Sequence, residues 1–485
     1  MSNLQTGKMT NHRWTIVVML FMATTVNYLD RQVLSLTWAD FIAPEFHWTN
    51  SDYGTITGLF SIFYAVSMLF AGKFIDWMDT KKGFLWAIGV WSFGAIMHAF
   101  CGILTSGITA GEWTMSFEGA REAIGTVGDV SLVVSVSVTL FVFARLVLAI
   151  GEAGNFPAAI KATAEYFPKK DRAYATSIFN SGAQIGALLA PLTIPFIAKA
   201  WGWEMAFIVI GALGFIWMGF WIFIYHKPEH NKKVNALELE YINQDDATDA
   251  IEGRVKADGN AGKKVSFKKA FKYKQTWSFA VGKFLTDGVW WFLLFWIPAY
   301  LSSVYGLDST ESAPHVFVVY AISMISVFAA GYFPAYYMEK KKLDPYQGRM
   351  RAMLLFAFFP LLILFAQPLG GVSVWLPVII IGIAAAAHQS WSANIFTTVS
   401  DMFPKHAVGT ITGIGGMAGG VGSFFINKSS GVLFDHAANT NMKFMGYEGI
   451  ESGYFIIFIF CAIAYLLGWT IMKSLVPKYQ LITDM

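Results

Sequence analysis

Apolar stretches of about 20 residues alternate with short polar segments along almost the whole chain of 485 residues. A helix rises about 1.5 Å per residue, so each stretch is long enough to cross a hydrocarbon layer of about 30 Å. The stretches lack the apolar/polar alternation of membrane barrel strands. The pattern predicts twelve membrane-spanning helices, at roughly 14–36, 53–75, 83–104, 132–164, 172–199, 203–226, 275–303, 314–338, 350–369, 373–400, 407–430 and 451–475.

Composition supports an all-α integral membrane protein. Hydrophobic residues make up 55% of the chain, charged residues 14%, and the mean hydropathy is +0.49. A net charge of +3 gives no reason to expect a nucleic-acid partner. Cys101 and Cys461 lie inside apolar stretches, which excludes a disulfide framework. No small-residue cleavage site follows the first stretch, so we expect it to be retained.

One long polar segment divides the chain into two halves of six spans each. Residues 227–274 hold eleven Lys or Arg and eight Asp or Glu. We therefore predict an N-terminal six-helix bundle over 1–226, a cytoplasmic linker over 227–274 and a C-terminal six-helix bundle over 275–485. Such a plan is typical of two bundles that rock around a site near the middle of the membrane.

Loop charges predict the orientation, because short cytoplasmic loops collect Lys and Arg. The connections 37–52, 304–313 and 370–372 contain neither. We therefore place both termini in the cytoplasm of a multi-pass inner-membrane protein. The basic residues of the other, alternate loops are Lys81, Lys82, Lys169, Lys170, Arg172, Lys340, Lys341, Lys342, Arg349, Arg351 and Lys405.

The connection 105–131 is the exception on the outer side, because it is long and charged. We predict a solvated helical hairpin there, and an extracellular lid over the substrate path is the alternative. Its charged residues are Glu112, Glu118, Arg121, Glu122 and Asp129.

The segment NYLDRQ places Asp30 and Arg31 inside the first span. Ionisable residues within a membrane are costly and indicate an ion or substrate pathway. Tyr28 and Arg31 are three residues apart and share a helix face, whereas Asp30 is turned roughly 100° from Arg31. Each charge therefore needs a partner elsewhere. The alternative is a pair that anchors the outer helix end.

Arg145 and Glu152 are seven residues apart on one face of the fourth span. A carboxylate buried beside the small residues Gly151, Ala153 and Gly154 is expected to keep a proton more readily than one in water. Glu152 is therefore the candidate proton site, with Arg145 or Arg31 able to favour its ionised form. A structural salt bridge between helices is the alternative.

Lys283 and Asp287 are four residues apart on the seventh span and could neutralise each other. Alternatively, Lys283 binds a substrate carboxylate, and Trp290 and Trp291 offer ring faces to a sugar.

Hydrogen-bonding residues are unusually dense in the tenth span, as a ligand with several hydroxyls would require. Hydrogen bonds between helices are the alternative. The candidate contacts there are His388, Gln389, Ser390, Trp391 and Asn394.

A glycine-rich and a histidine-containing segment are weaker indications of a binding site. GIGGMAGGVG, residues 413–422, lacks the Lys-Ser/Thr ending of a phosphate loop, so its glycine pairs 415/419 and 416/420 indicate tight helix packing. HKPEH, residues 226–230, contains a proline that disfavours a regular helix, and we expect a loop without a metal.

The loop GKFIDWMDTKK resembles the signature loop of the major facilitator superfamily. Its glycine permits close helix approach, and Asp76 can cap a helix or pair with a basic residue. We expect this loop to latch the two bundles when the inner side is closed; an ordinary basic loop is the alternative. The gating residues are Gly72, Asp76, Lys81 and Lys82.

Together with this loop, NYLDRQ, RLVLAIGEAGNFPAAIKA, GKFLTDGVWWFLLFWIPAYL and AAAAHQSWSAN resemble the anion:cation symporters of that superfamily, specifically hexuronate (glucuronate/galacturonate) transporters. The resemblance covers all twelve spans. Lys283 and HQSWSAN favour hexuronates, whereas galactonate carriers have Gln at the position of Lys283.

The resemblance implies proton-coupled import of a sugar-acid anion by alternating access. We expect a monomer that needs no cofactor besides the coupling proton. It assigns proton coupling to Asp30, Arg31 and Glu152, with Arg145 on the same helix as Glu152, and aromatic substrate contacts to Tyr28 and Tyr64. The alternative is a proton symporter for an aldonate or a dicarboxylate. A membrane enzyme or sensor is a further alternative, but the sequence offers no nucleophile or metal-ligand set near a membrane face.

Overall fold

The computed structural model describes residues 8–244 and 266–482, most of which are helical. Inside a membrane no water is available to bond the backbone N–H and C=O groups. A long apolar stretch therefore forms a helix, in which these groups bond to each other. In the first half the helices are α1 (His12–Thr37), α2 (Ala43–Phe46), α3 (Asn50–Met78), α4 (Thr80–Ala99), α5 (Cys101–Thr109), α6 (Phe117–Gly125), α7 (Val130–Glu152), α8 (Asn155–Tyr166), α9 (Lys169–Trp201), α10 (Trp203–Ile224) and α11 (Ala236–Ile242).

The second half continues in the same way and includes one small antiparallel strand pair, β1 (Lys443–Phe444) with β2 (Tyr447–Glu448). Its helices are α12 (Phe267–Ala270), α13 (Lys274–Tyr305), α14 (Ser309–Ser323), α15 (Ser326–Lys340), α16 (Pro345–Phe358), α17 (Ala366–Gly370), α18 (Trp375–Met402), α19 (Lys405–Thr440) and α20 (Ile450–Leu475). A π-turn Trp38–Ile42 follows α1, and 3-10 turns cover Pro228–His230 and Phe359–Phe365.

The twelve predicted spans correspond to helices or helix pairs. Among the described residues, ten helical spans are long and apolar enough to cross a membrane, and the pair α4/α5, bent by 49°, makes an eleventh. The remaining predicted span is α1. Its 26 residues extend about 39 Å, which is sufficient, but its outer half carries Asn27, Asp30, Arg31 and Gln32. The all-α membrane fold is confirmed.

The segment 105–131 lies on the side that the loop charges predict to be the outer one, and that side is called outer below. It forms a helical hairpin of α5 and α6. Arg121 on α6 donates to Glu45 on α2 (Nε to Oε2, 3.0 Å) and to Glu204 on α10 (Nη2 to Oε1, 2.8 Å). Trp203 Nε1 also donates to Glu45 Oε2 at 2.8 Å. The hairpin is therefore fastened to the outer ends of the first-half helices.

The two halves meet tightly at the outer ends of α3 and α19. Asp435 accepts hydrogen bonds from Asn50 N (3.0 Å) and Ser51 N (2.7 Å), at the positive end of the α3 dipole. Lys428, two turns earlier on α19, donates to Thr55 Oγ1 at 2.7 Å. Gly54 permits this approach, since a Cβ there would lie 2.5 Å from the backbone oxygen of Asn427.

Two further contacts close the outer side. Asp40, beyond α1, accepts from Ser309 N at the start of α14 at 2.5 Å. Tyr53 stacks on Trp38, with ring centroids 4.0 Å apart, and donates to the backbone oxygen of Phe295 at 2.9 Å. The outer side of the interface is thus sealed by polar bonds and aromatic rings.

At the opposite end, facing surfaces of the halves are open. Asn180 on α9 and Phe396 on α18 are exposed there. Helix α11 of the predicted linker packs on the first half, where Glu238 accepts from the backbone N–H groups of His12 and Arg13. Residues 245–265 of that linker lie outside the described residues, and the division into domains stays a prediction.

Three of the four glycines in the two predicted pairs of α19 lie at helix contacts. A Cβ at Gly415 would meet Phe279, one at Gly419 would meet Asp287, and one at Gly420 would meet Ala65. Gly416 has open space instead.

Candidate functional site

A cavity of about 540 Å³ lies between the two halves and reaches the open side. Helices α1, α8 and α9 form one wall, and α13, α15 and α18 form the other. Its polar and aromatic lining comprises Tyr28, Phe156, Ser177, Asn180, Ser181, Gln184, Trp290, Ser326, Gln389, Ser392 and Phe396.

Arg31 and Glu152 form a buried ion pair next to this cavity. Arg31 donates through Nη2 (2.7 Å) and Nε (3.0 Å) to the same oxygen, Oε2 of Glu152. The two side chains are 4% and 0% exposed. The sequence left either Arg31 or Arg145 as the cation for Glu152, and the ion-pair geometry favours Arg31.

Aromatic rings from both halves surround the Arg31 guanidinium. The Cζ atom lies 4.6 Å from the ring centroid of Tyr64, 4.9 Å from Tyr28 and 5.2 Å from Trp291. Tyr28 and Tyr64 belong to the first half, whereas Trp291 belongs to α13 of the second. Because cations are attracted to ring faces, the position of Arg31 depends on how the halves meet.

Asp30 and Arg145 lie nearby without such pairing. Asp30 is 1% exposed, and neither carboxyl oxygen has a hydrogen-bond partner among the described residues. Arg145 is likewise buried, its Nε and Nη1 atoms lack partners in that same part of the chain, and its Cζ lies 5.2 Å from the Phe60 ring centroid. The different facing of Asp30 and Arg31 agrees with the helix geometry.

Lys283 is engaged within its own helix. Its Nζ lies 2.7 Å from Asp287 Oδ2 and 4.1 Å from the Phe396 ring centroid. Phe396 lines the cavity, but the Lys283 side chain is only 4% exposed. The neutralising pair that the spacing allowed is therefore present in this conformation, and a substrate carboxylate would have to compete with Asp287.

The tenth-span cluster is divided between the cavity and helix contacts. Gln389 faces the cavity, whereas His388 stacks on Trp290 (centroids 5.1 Å, planes 7° apart). His388 Nδ1 lies 2.8 Å from the Tyr465 hydroxyl. His388 is thus a support for the cavity wall formed by Trp290.

Three of the predicted contacts point away from the cavity here. Asn394 donates to the backbone oxygen of Ala330 at 3.0 Å, and Ser390 Oγ lies 3.5 Å from the backbone oxygen of Ser326. Trp391 is fully buried against Tyr465. For Ser390, Trp391 and Asn394 the helix-contact interpretation fits the observed geometry, because other residues of α18, among them Gln389 and Ser392, line the cavity.

The predicted gating loop lies at the open side. Asp76 is 3.1 Å from Lys161 Nζ, and Lys81 donates to the backbone oxygen of Ile222 at 2.7 Å. Lys82 is exposed. Gly72 has no atom within 4 Å of a Cβ built there, so the expected close helix approach at Gly72 is absent from this conformation.

A polar stripe on α9 was not predicted. Ser177, Asn180, Ser181 and Gln184 recur at spacings of three and four residues and share the face that lines the cavity. The spacing is visible in the sequence, but uncharged polar residues in a membrane span indicate a binding site less strongly than ionisable ones do.

Residues 20–426 match the sequence profile of the Major Facilitator Superfamily, and the chain belongs to this family. It is therefore a multi-pass membrane transporter and not an enzyme. The fold is similar to that of a bacterial homologue of the human lysosomal transporter Spinster, solved inward-facing and unoccupied. That similarity has a TM-score of 0.68 at 18% identity and covers 98% of this chain and 99% of the homologue.

Among named relatives, the chain is similar to the hexuronate transporter of Escherichia coli strain K12. The two are 26% identical, over 95% of this chain and 94% of the relative. The probable galactarate/D-glucarate transporter of the same strain is 25% identical, over 92% of this chain and 94% of that protein.

Replacing Arg31 by Gln should destabilise the protein, because the Glu152 carboxylate would be left buried without its cation. The free energy of unfolding is expected to fall by about 3 kcal/mol or more. Adding Glu152→Gln to the same chain should restore most of it. Thermal unfolding of the purified variants in detergent at neutral pH measures both effects.

The matched control is Glu448→Gln, which breaks the exposed Lys443–Glu448 pair and should change the unfolding temperature little. A double variant as unstable as Arg31→Gln alone would show that the loss does not arise from the uncompensated carboxylate.

Proposed function

We propose that this chain is a proton-coupled symporter that imports hexuronate anions, glucuronate or galacturonate, by alternating access. It would lie in the cell inner membrane with both termini in the cytoplasm, as the loop charges predict. It would act as a monomer and need no cofactor besides the coupling proton. On this orientation the cavity opens to the cytoplasm.

The observation that carries the proposal is the buried Arg31–Glu152 pair, with the unpartnered Asp30 close by, at the edge of the cavity. Tyr28 lies against Arg31 and also lines the cavity, so a ligand carboxylate in the cavity reaches the guanidinium past this one ring. A volume of about 540 Å³ is ample for a monosaccharide acid.

Coupling follows from competition for the Arg31 guanidinium. While Glu152 is ionised, its Oε2 occupies two donors of Arg31. Protonation of Glu152 removes that negative charge and releases the donors. A substrate carboxylate then matches the guanidinium in charge and in geometry. Proton and anion are thus favoured together, and their charges cancel before the halves move.

Recognition of the rest of the sugar is proposed for the cavity walls. Trp290 offers an aromatic face, and Gln389 offers donors and an acceptor for hydroxyls. Lys283 would bind the substrate by releasing Asp287 and pairing with the substrate carboxylate instead. Sugar dicarboxylates are a second candidate substrate class. The similarity to the relative named as a probable galactarate/D-glucarate transporter supports this alternative.

In proteoliposomes, Glu152→Gln should abolish accumulation driven by a pH gradient, because the residue can no longer bind and release a proton. Counterflow of labelled glucuronate should persist, since the permanently neutral side chain leaves Arg31 free. Uptake with and without an imposed gradient measures both.

The exposed Glu448→Gln is the control for this experiment, because it makes the same chemical change far from the cavity. Normal gradient-driven accumulation by Glu152→Gln would contradict the coupling role of Glu152.

Lys283→Gln should raise the concentration of glucuronate needed for half-maximal uptake by about tenfold, the cost of one lost charge-assisted hydrogen bond. Lys443→Gln, in the exposed pair, should leave it unchanged. Competition of labelled glucuronate by galacturonate, galactonate and galactarate measures the substrate class in the same assay.

An unchanged half-saturation value in Lys283→Gln would remove Lys283 from the site. Stronger competition by galactarate than by either uronate would favour the dicarboxylate alternative.

A further inference from the structure

A second polar region lies beside the Arg31–Glu152 pair, between α1 and the junction of α7 with α8. Two cross-helix contacts bracket it. Arg31 meets Glu152 at 2.7 Å on one side, and Asn155 Nδ2 donates to Thr24 Oγ1 at 3.3 Å on the other. Seven residues separate Thr24 from Arg31, so the bracketed space is about 10 Å long along α1.

Asn27 lies between the two contacts on the same face of α1. Its side chain is completely buried, yet neither its Nδ2 nor its Oδ1 atom has a partner within the described ranges. The same holds for both oxygens of Asp30, Oε1 of Glu152 and Oδ1 of Asn155. Six buried polar atoms on four residues between and beside the two contacts therefore lack a described partner.

The local sequence explains why the space exists. Helix α7 ends at Glu152 and α8 begins at Asn155, so the helix is interrupted beside the pair. Ala153 and Gly154 form the interruption, and Gly154 lets it pack closely on α4, since a Cβ there would lie 2.6 Å from the Cβ of Ala87. Leaving a buried polar group without a hydrogen bond costs about 1 to 3 kcal/mol, so these atoms are expected to bind water.

The charged groups around the space are known. Asp30 and Arg31 come from α1, and Arg145 and Glu152 come from α7. Helix α3 contributes the Tyr64 ring beside Arg31. Asn27 and Asn155 are the uncharged members of this set.

The space is also adjacent to the cavity. Tyr28 follows Asn27 in the chain and Phe156 follows Asn155, and both Tyr28 and Phe156 line the cavity. A proton that leaves Glu152 through this space reaches the open side past these two rings.

We propose that Asn27 and Asn155 hold a short file of water molecules that carries the coupling proton from Glu152 and Asp30 into the inward-facing cavity. The inference rests on the proposed function. In the release step the carboxyl O–H bond breaks and a new O–H bond forms on a water oxygen. The electron pair stays on the carboxylate, which again pairs with Arg31. Asn27 and Asn155 are positioning residues in this account.

The test compares net transport with exchange in proteoliposomes for Asn27→Leu and Asn155→Leu. Net gradient-driven glucuronate uptake requires proton release in every cycle, whereas exchange of internal for external glucuronate does not. We expect net uptake to fall about tenfold or more, because proton transfer loses its waters, while exchange stays within about twofold. Replacing H₂O by D₂O should lower the rate of net uptake by a larger factor in the variants than in the natural protein.

The controls use the same assay. Asn27→Ser, which leaves a polar group and room for water, should retain most net uptake. Ser92→Ala removes a buried hydroxyl without a described partner between α4 and α10, and should leave both activities unchanged.

An unchanged ratio of net uptake to exchange in both leucine variants would overturn the inference. If those variants do not fold, a high-resolution experimental structure of the unmodified protein decides it: ordered water bonded to Asn27 and Asn155 supports the inference, and a dry space overturns it. Loss of coupling in Glu152→Gln together with normal leucine variants would overturn this inference alone.

Discussion

The buried Arg31–Glu152 ion pair is the interaction on which the rest of the site depends. Removing two charges from water costs several kcal/mol per ion, and that cost is offset only by close geometry and further contacts. Here the geometry is a forked contact at 2.7 and 3.0 Å, and the further contacts are rings at 4.6 to 5.2 Å. The pair is stable only while both partners stay charged, so it responds to a proton or to a competing anion.

The position of the pair connects it to the movement of the halves. One ring around Arg31, Trp291, comes from the second half, so sliding the halves changes the surroundings of the guanidinium. At the outer side, Asp435 accepts from a backbone N–H at the start of α3, and Asp40 accepts from one at the start of α14. Each of these bonds joins the two halves. Charge–dipole contacts of this kind form and break without leaving buried charges, which suits an interface that opens.

Hydropathy and length predict most of the fold, because backbone hydrogen bonding in a membrane leaves helices as the solution for long apolar stretches. The first span is less apolar than the others because Asn27, Asp30, Arg31 and Gln32 occupy its outer half. The i,i+4 spacing of Lys283 and Asp287 also predicts their pairing, as an alternative to substrate binding.

Contacts between distant helices cannot be predicted in this way. The sequence places Arg145 and Glu152 on one helix face, but only the assembled helices bring Arg31 of α1 to Glu152 at the end of α7. The face of α18 that meets the cavity is likewise set by packing, so Gln389 faces inward while Ser390 and Asn394 bond to α15. Asn27 and Asn155 lie within conspicuous motifs, yet their shared location becomes visible only when the helices are assembled.

Substrate anion and proton bind together because protonation of Glu152 frees the Arg31 guanidinium for the substrate carboxylate. Proton uptake during binding tests it most directly, with a pH indicator in weakly buffered detergent solution at neutral pH. Adding glucuronate to the unmodified protein should make the medium more alkaline, and adding it to Glu152→Gln should produce a much smaller change. Binding of glucuronate without any proton uptake by the unmodified protein would contradict the account.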